Sequence, residues 1–247
     1  MEPGPKSNIY FPFDQQRQWI LDQSWTPARV SQVPLKVNEI FYSIQGESSF
    51  AGRPCIFVRL TGCNLRCSYC DTQYAYDGGN ALEIDEILAD IKSYGSRLVE
   101  ITGGEPLIQP QTPALIRRLL DEDYEVLLET NGTQDISMVD SRCVRIVDIK
   151  CPSSGEDDKN DLKNLNRLND KDEVKFVIGN REDYEFAKRV LNPMNTHPPK
   201  SNIVHFSAAY GKMDLKVLAD WILKDYLEVR LHVQLQKIIW DHGKRGV

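Results

Sequence analysis

From Leu35 onward, apolar runs of strand length alternate with segments of helical period, and this alternation limits the available folds more than any other feature. Strand-like runs cover 36–42, 55–60, 98–102, 125–129, 144–149, 173–178, 202–206 and 229–234. Helical spacing joins Ile84, Ile87, Leu88 and Ile91, closing at Gly95, and joins Leu115, Ile116, Leu119 and Leu120 behind Thr112 as expected N-cap and Pro113. It recurs at Ala187, Val190 and Leu191, and at Leu215, Leu218, Ala219 and Ile222. Strands that alternate with helices pair in parallel under a helical cover. About six β/α units are too few for an eight-fold barrel, so the expected fold class is α/β, a partial and open β/α barrel. Ligands gather at the C-terminal ends of the strands in such sheets, and the distinctive motifs are all expected there.

The 247 residues, 41% of them hydrophobic, suffice for one large domain, expected at 35–247. Residues 1–34 are rich in Pro and Gln, carry Tyr10, Phe11, Phe13, Trp19 and Trp25 without a period, and read as an N-terminal arm with a short helix at 15–23. The stretch 153–169 is polar and reads as a loop with a short helix. No apolar run approaches the roughly 20 residues that cross a membrane, and the N-terminus has no secretory pattern. Net charge is −6 with no dense Lys/Arg run, which argues against direct nucleic-acid binding and for a small-molecule substrate. Six cysteines, three of them clustered, suit a reducing cytoplasm.

Those three, Cys63, Cys67 and Cys70, have the spacing C-x3-C-x2-C in Gly62-Cys-Asn-Leu-Arg-Cys-Ser-Tyr-Cys-Asp-Thr72, so one loop can bring three thiolates together. A closed zinc site wants a fourth Cys or His, and none lies between Gly62 and Thr72. Cys55 belongs to an apolar strand-like run, and His197, His205, His232 and His242 are far downstream. Three cysteines on a four-iron cluster leave one iron open to a ligand. Cys143 and Cys151 read as buried or incidental thiols.

After the third strand-like run comes Thr102-Gly103-Gly104-Glu105-Pro106, where two glycines permit close backbone approach and Glu105 can accept from an ammonium. Ser43-Ile-Gln-Gly-Glu47 ends the first run, and Arg59 offers a fixed fork for a carboxylate or a salt bridge on a strand face. Asp148 and Lys150 can form a structural ion pair at a strand end. Glu129-Thr130-Asn131-Gly132 is open between an Asn-Gly turn and a ligand role.

The cysteine loop followed by Gly-Gly-Glu-Pro resembles the radical S-adenosylmethionine superfamily. With Gln45-Gly46-Glu47, Arg59, Cys70-Asp71-Thr72, Thr102 and the closing Leu235-Gln236-Lys237-Ile238-Ile239-Trp240 and Gly246-Val247, the chain resembles the 7-carboxy-7-deazaguanine synthase family of queuosine and deazapurine biosynthesis. The resemblance implies a lyase that rearranges 6-carboxy-5,6,7,8-tetrahydropterin to 7-carboxy-7-deazaguanine with loss of ammonia. A reduced 4Fe–4S cluster on Cys63, Cys67 and Cys70 would cleave S-adenosylmethionine to a 5′-deoxyadenosyl radical, which takes the pterin C6 hydrogen.

The resemblance further implies that Ile44, Gln45, Gly46 and Glu47 hold the pterin edge, that Arg59 meets its carboxylate, and that Thr102 and the terminal Val247 touch it. Thr72 would join a Mg²⁺ shared with the substrate, while Asp71 either orders that loop or lies with Tyr69 and Cys70 against S-adenosylmethionine. Tyr69 stands where the superfamily often carries an aromatic beside the adenine, or simply packs the loop. Gly104 and Glu105, and by position alone Asp148, Ile149, Lys150 and Ser207, would complete the S-adenosylmethionine contacts. Departures from the family pattern are Ser48 in place of a glycine, Asp148-Ile149-Lys150 in place of Ser-Pro-Lys, and Phe206-Ser207-Ala208-Ala209 in place of Gln-Pro-Met. A homodimer and an external flavodoxin-like reductant are the implied partners. The alternatives are an enzyme that installs a glycyl radical on a partner protein, and a non-catalytic iron–sulfur electron-transfer module.

Overall fold

The computed structural model of the protein describes residues 33–196, 203–241 and 243–247. The expected arm, with its helix at 15–23 and its aromatic residues, lies outside them apart from Val33 and Pro34, as do His197 and His242.

Among the described residues one sheet of nine strands runs in the order β3-β1-β2-β4-β5-β6-β7-β8-β9. The strands are β1 (Leu35–Ile44), β2 (Pro54–Leu60), β3 (Asn80–Leu82), β4 (Leu98–Gly103), β5 (Glu125–Thr130), β6 (Val144–Ile149), β7 (Glu173–Ile178), β8 (Ile203–Ala208) and β9 (Arg230–His232). From β2 to β9 the neighbours are parallel, whereas β1 pairs antiparallel with both β2 and β3. The sheet curls without closing, as the unit count requires.

Four crossovers carry α-helices: α1 (Ile84–Ser93), α2 (Thr112–Asp121), α3 (Arg181–Thr196) and α4 (Leu215–Lys224). A short α5 (Gln236–Ile239) follows β9. The β5–β6 and β6–β7 connections hold only 3-10 turns, at Ile136–Met138 and then at Pro152–Ser154, Asp157–Lys159 and Leu162–Arg167. Short polar side chains there satisfy backbone groups locally, as Asp161 does for the Lys163 N–H, so no amphipathic stripe is needed. Helix α1 starts with a reciprocal capping box between Glu83 and Glu86. The expected cap of α2 moves by one residue: Gln111 is the N-cap, and the Thr112 hydroxyl donates to the Pro106 carbonyl at 2.6 Å.

The two faces of the sheet bury different things. Val99, Ile101, Val126, Leu128 and Val147 pack outward against Ile87, Ile91, Leu115 and Leu119 of the helices. Each such fully buried Leu or Ile contributes about 1.5–3 kcal/mol. Inward, at the N-terminal half of the strands, Phe41, Cys55, Phe57, Leu98, Leu127, Val144 and Ile146 form a separate apolar plug. Because strand side chains alternate, the next inward residues on the same strands are Glu100, Glu129 and Asp148. Charge therefore sits directly above the plug.

One sequence expectation needs correction. The Gln45–Glu47 stretch does not stand at the C-terminal rim with the other motifs, because β1 runs antiparallel and its end, Ile44, pairs with Pro54 at the start of β2. The β1–β2 turn instead crosses the concave face from below. The Ser49 N–H donates to Glu173 Oε2 at 3.1 Å on β7, the Ser48 N–H donates to His232 Nε2 at 3.2 Å on β9, and the Leu235 N–H donates to the Gly46 carbonyl at 3.1 Å. Among the described residues no helix is long and apolar enough to cross a membrane.

Candidate active site

The concave face encloses a cavity of about 640 Å³. The cysteine loop forms one wall. Its entry bends at Gly62, whose φ of 100° suits glycine, and its exit is fastened by the Gly62 N–H to the Ala75 carbonyl at 2.8 Å. The Ser68 N–H donates to the Ser154 carbonyl at 2.9 Å and the Arg66 N–H to Glu156 Oε1 at 2.6 Å, so the polar β6–β7 connection braces the loop from outside. Leu65 is buried beneath it. Cys63, Cys67 and Cys70 all line the cavity, while Cys55, Cys143 and Cys151 are buried away from it. Burial raises the Cys63 thiol and pushes Cys67 up to about 11, so both await a metal to become thiolates.

The wall beside the cysteines is the end of β4. A Cβ on Gly103 would stand 2.1 Å from the Leu60 carbonyl oxygen, and one on Gly104 would stand 2.0 Å from the Gly62 oxygen and 2.8 Å from Cys63 Cβ. Both glycines let this backbone lie against the root of the cysteine loop. Replacing Gly104 with Ala is expected to cost about 1–3 kcal/mol through overpacking. It should also lower the iron bound per chain on reconstitution, read by urea denaturation and iron content. Unchanged iron loading would show that the close approach is dispensable.

Glu105 does not face the cavity. Its carboxylate is fully buried and accepts from the Leu107 N–H at 2.9 Å, the Thr130 hydroxyl at 2.9 Å and the Asn131 N–H at 2.6 Å, tying the end of β4 to the end of β5. Ile149 packs in the core against the helices, and Ser207 is buried on β8 outside the cavity lining. The other sequence-selected positions all line the cavity: Ile44, Gln45, Gly46, Glu47, Arg59, Tyr69, Asp71, Thr72, Thr102, Gly104, Asp148, Lys150 and Val247.

Arg59 makes the salt bridge on a strand face that is one of its two readings. Its Nε pairs with Glu39 Oε1 at 2.8 Å while the guanidinium borders the cavity near the Phe41 and Tyr74 rings. Asp148 pairs with Lys150 at 2.8 Å through Oδ2, but its buried Oδ1 has no hydrogen-bond partner among the described residues, and neither has the Tyr69 hydroxyl. Thr72 Oγ1 donates to Asp71 Oδ1 at 3.0 Å. Burial pushes the Asp71 carboxyl up, but Lys237 at 2.6 Å overrides it and holds the group below its ordinary range.

Three thiols around one cavity, with the remaining thiols buried elsewhere, fit the donor set of a cluster that keeps one iron open. Among the described residues no His, Cys, Asp or Glu side chains are gathered tightly enough to grip a single metal ion. The orphaned Asp148 oxygen and the glycine-lined wall fit a polar ligand beside such a cluster.

Residues 57–146 match the model of the Radical SAM superfamily. The chain is 43% identical to the 7-carboxy-7-deazaguanine synthase of Koribacter versatilis over 227 residues, covering 86% of this chain and 100% of that one. It is 44% identical to that of Chlorobaculum tepidum over 220 residues, covering 88% and 99%. The chain belongs to the 7-carboxy-7-deazaguanine synthase family. The crystal structure of QueE from Escherichia coli shares the fold, with a TM-score of 0.68 at 24% identity over 81% of this chain and 94% of that one. Neither the glycyl-radical activator nor the electron-transfer module is the family these relatives define.

In this member of the deazaguanine synthase family the cavity floor is charged, and Lys175, Glu100 and Gln234 in it were not singled out from sequence. Lys175 of β7 stands between two carboxylates, 2.8 Å from Glu47 Oε2 and hydrogen-bonded to Glu129 Oε1. Glu47 Oε1 also accepts from Gln234 Nε2 and Gln236 Nε2, each at 2.8 Å. Burial opposes ionisation of Glu47, but Lys175 and Gln234 hold it well below the carboxylate range. Burial raises Glu129 and, helped by the negative charge of Glu129, pushes Glu100 up to about 8. A signal existed: Glu100 in Leu-Val-Glu-Ile-Thr and Lys175 in Glu-Val-Lys-Phe-Val are charges inside runs that a parallel sheet buries on both faces.

Proposed function

We propose that this chain converts 6-carboxy-5,6,7,8-tetrahydropterin to 7-carboxy-7-deazaguanine with release of ammonia, as a radical S-adenosylmethionine lyase of deazapurine biosynthesis. The observation that carries this reading is the convergence of the cysteine loop, the Gly103–Gly104 wall and the Gln45–Glu47 strap on one cavity. Cys63, Cys67 and Cys70 would hold a 4Fe–4S cluster, which when reduced supplies the electron that opens S-adenosylmethionine to radical chemistry.

The chain's own residues bind, orient and exclude water. The Gly103–Gly104 backbone, the Tyr69 ring, Asp148 and Lys150 frame the S-adenosylmethionine side of the cavity. Lys150, 2.8 Å from Asp148, balances one carboxylate there and leaves its second oxygen free to accept from an ammonium. Arg59, steadied by Glu39, presents its fork to the substrate carboxylate, and Thr102 and Val247 border the same space. Thr72 and Asp71 offer the hard oxygens that Mg²⁺ accepts. A homodimer and a flavodoxin-like electron donor complete the proposal.

The test is anaerobic incubation of reconstituted protein with dithionite, S-adenosylmethionine and carboxytetrahydropterin. Deazaguanine formed together with 5′-deoxyadenosine is expected. Cleavage of S-adenosylmethionine that never yields deazaguanine would refute the substrate assignment while leaving the superfamily intact.

A further inference from the structure

Three carboxyl groups border the cavity floor, and they differ in what is left to each. Glu47 is fully occupied by Lys175, Gln234 and Gln236. Glu129 is paired with Lys175. Gln45 is also engaged, because its Oε1 accepts the Glu47 N–H at 3.1 Å and its Nε2 donates to Glu100 Oε2. Gln45 and Glu47 thus spend their polar groups holding the strap in shape. Glu100, 3% exposed, lines the cavity with the Gln45 amide as its hydrogen-bond partner and, among the described residues, no ion pair.

We propose that Glu100 reads the aminopyrimidinone edge of the pterin, its carboxylate accepting two parallel N–H groups, from ring N3 and from the exocyclic 2-amino group. This rests on the substrate reading above and assigns specificity for that substrate to a residue outside the Gln45–Glu47 motif. A carboxylate has two oxygens in one plane at the spacing of two adjacent donors, the geometry that makes carboxylate pairs bidentate. Register supports the placement. Glu100 lies two residues before Thr102 on the same face of β4, one layer above Leu98 and in register with Leu127 of the apolar plug, where a flat ring entering from the rim would come to rest.

The electrostatic surroundings give the contact a signature. Glu100 is faced by Glu47 from the strap, Glu129 from β5, Lys175 from β7 and Cys55 from β2, and Lys175 is committed to the other two carboxylates. Burial and these negative neighbours leave Glu100 protonated near neutrality in the free protein. A ligand bringing two donors stabilises the ionised form, so binding releases a proton. The specificity constant should therefore rise with pH and level off above about 8.

The experiment compares carboxytetrahydropterin with its 2-deamino analogue on the reconstituted full chain, wild type and Glu100→Gln, across that pH range. Wild type is expected to favour the amino substrate by roughly 30-fold or more in kcat/KM, the scale of losing a hydrogen bond to a buried charged group. Glu100→Gln cannot accept two donors; its KM should rise by a similar factor and its alkaline-rising limb should vanish. Wild type indifferent to the amino group, or Glu100→Gln with unchanged KM and an unchanged limb, would overturn the assignment. Should the variant fold poorly, as its cluster absorbance would reveal, the wild-type discrimination and pH limb decide alone. Wild type that makes no deazaguanine from either compound sinks the substrate reading itself, a failure distinct from these.

Discussion

Replacing Cys67 with Ala is expected to leave the reconstituted protein without its four-iron absorbance and with turnover at background. Cys67 lies between Cys63 and Cys70 in the loop, and no other thiol lines the cavity among the described residues. Cys55, Cys143 and Cys151 are buried, and burial raises all three well above the ordinary thiol range, so none is poised to substitute. Iron content is the deciding readout, because activity alone confuses cluster loss with misplacement of the ligand. The loop's braces at Ser68 and Arg66 use backbone groups and remain in the variant, so the fold should persist. A variant that retains a full iron complement and turns over would remove Cys67 from the ligand set.

Replacing Lys175 with Met should cost about 3–5 kcal/mol, the range seen when one partner of a buried ion pair is deleted and the other charge is stranded. Here two carboxylates are stranded, Glu47 and Glu129, beside a third at Glu100. The variant can recover part of the loss by taking up protons. A buried carboxyl whose pKa is raised in the folded chain supports stability at low pH, and that support disappears as pH climbs through the raised value. The deficit of Lys175→Met should therefore be smaller near pH 5 than near pH 8, measured by urea denaturation of both proteins at each pH. A deficit independent of pH would mean that the three carboxylates do not share one field. The strap should also loosen, because Glu47 loses its anchor to β7.

Much of the architecture was legible in the sequence because it rests on periodicity. The outward positions of β4 and β5 and the faces of α1 and α2 follow the apolar spacing, and the structure puts Ile87, Ile91, Leu115 and Leu119 where that spacing sends them. The 3-10 connections after β5 and β6 were less legible, since Asp161, Asn164 and Asn160 hold them by local hydrogen bonds that leave no period. Strand direction was not legible for β1: alternation shows a strand but not whether it runs with or against its neighbour. That ambiguity sent the Gln45–Glu47 strap to the wrong end of the sheet.

Within the site, motif residues close in sequence were readable, and residues meeting across the barrel were not. Cys63, Cys67, Cys70 and Gly104 come from two segments with recognisable spacing, and they line one cavity. Lys175, Gln234 and Gln236 reach Glu47 from positions more than a hundred residues away. The oddity of a charge in a doubly buried strand pointed to Lys175 alone, and nothing linked Gln234 or Gln236 to Glu47. Glu105 differs for the opposite reason: its motif position suggested a ligand, while its carboxylate accepts from Leu107 in its own turn and from Thr130 and Asn131 at the end of β5.

The central claim is that three protein thiolates leave one iron of the cluster for S-adenosylmethionine. Mössbauer spectra of the ⁵⁷Fe-reconstituted chain, recorded with and without S-adenosylmethionine, address it directly. One iron site in the cluster should change its isomer shift and quadrupole splitting on addition while the others hold theirs. Spectra that are superimposable with and without the ligand would contradict the claim.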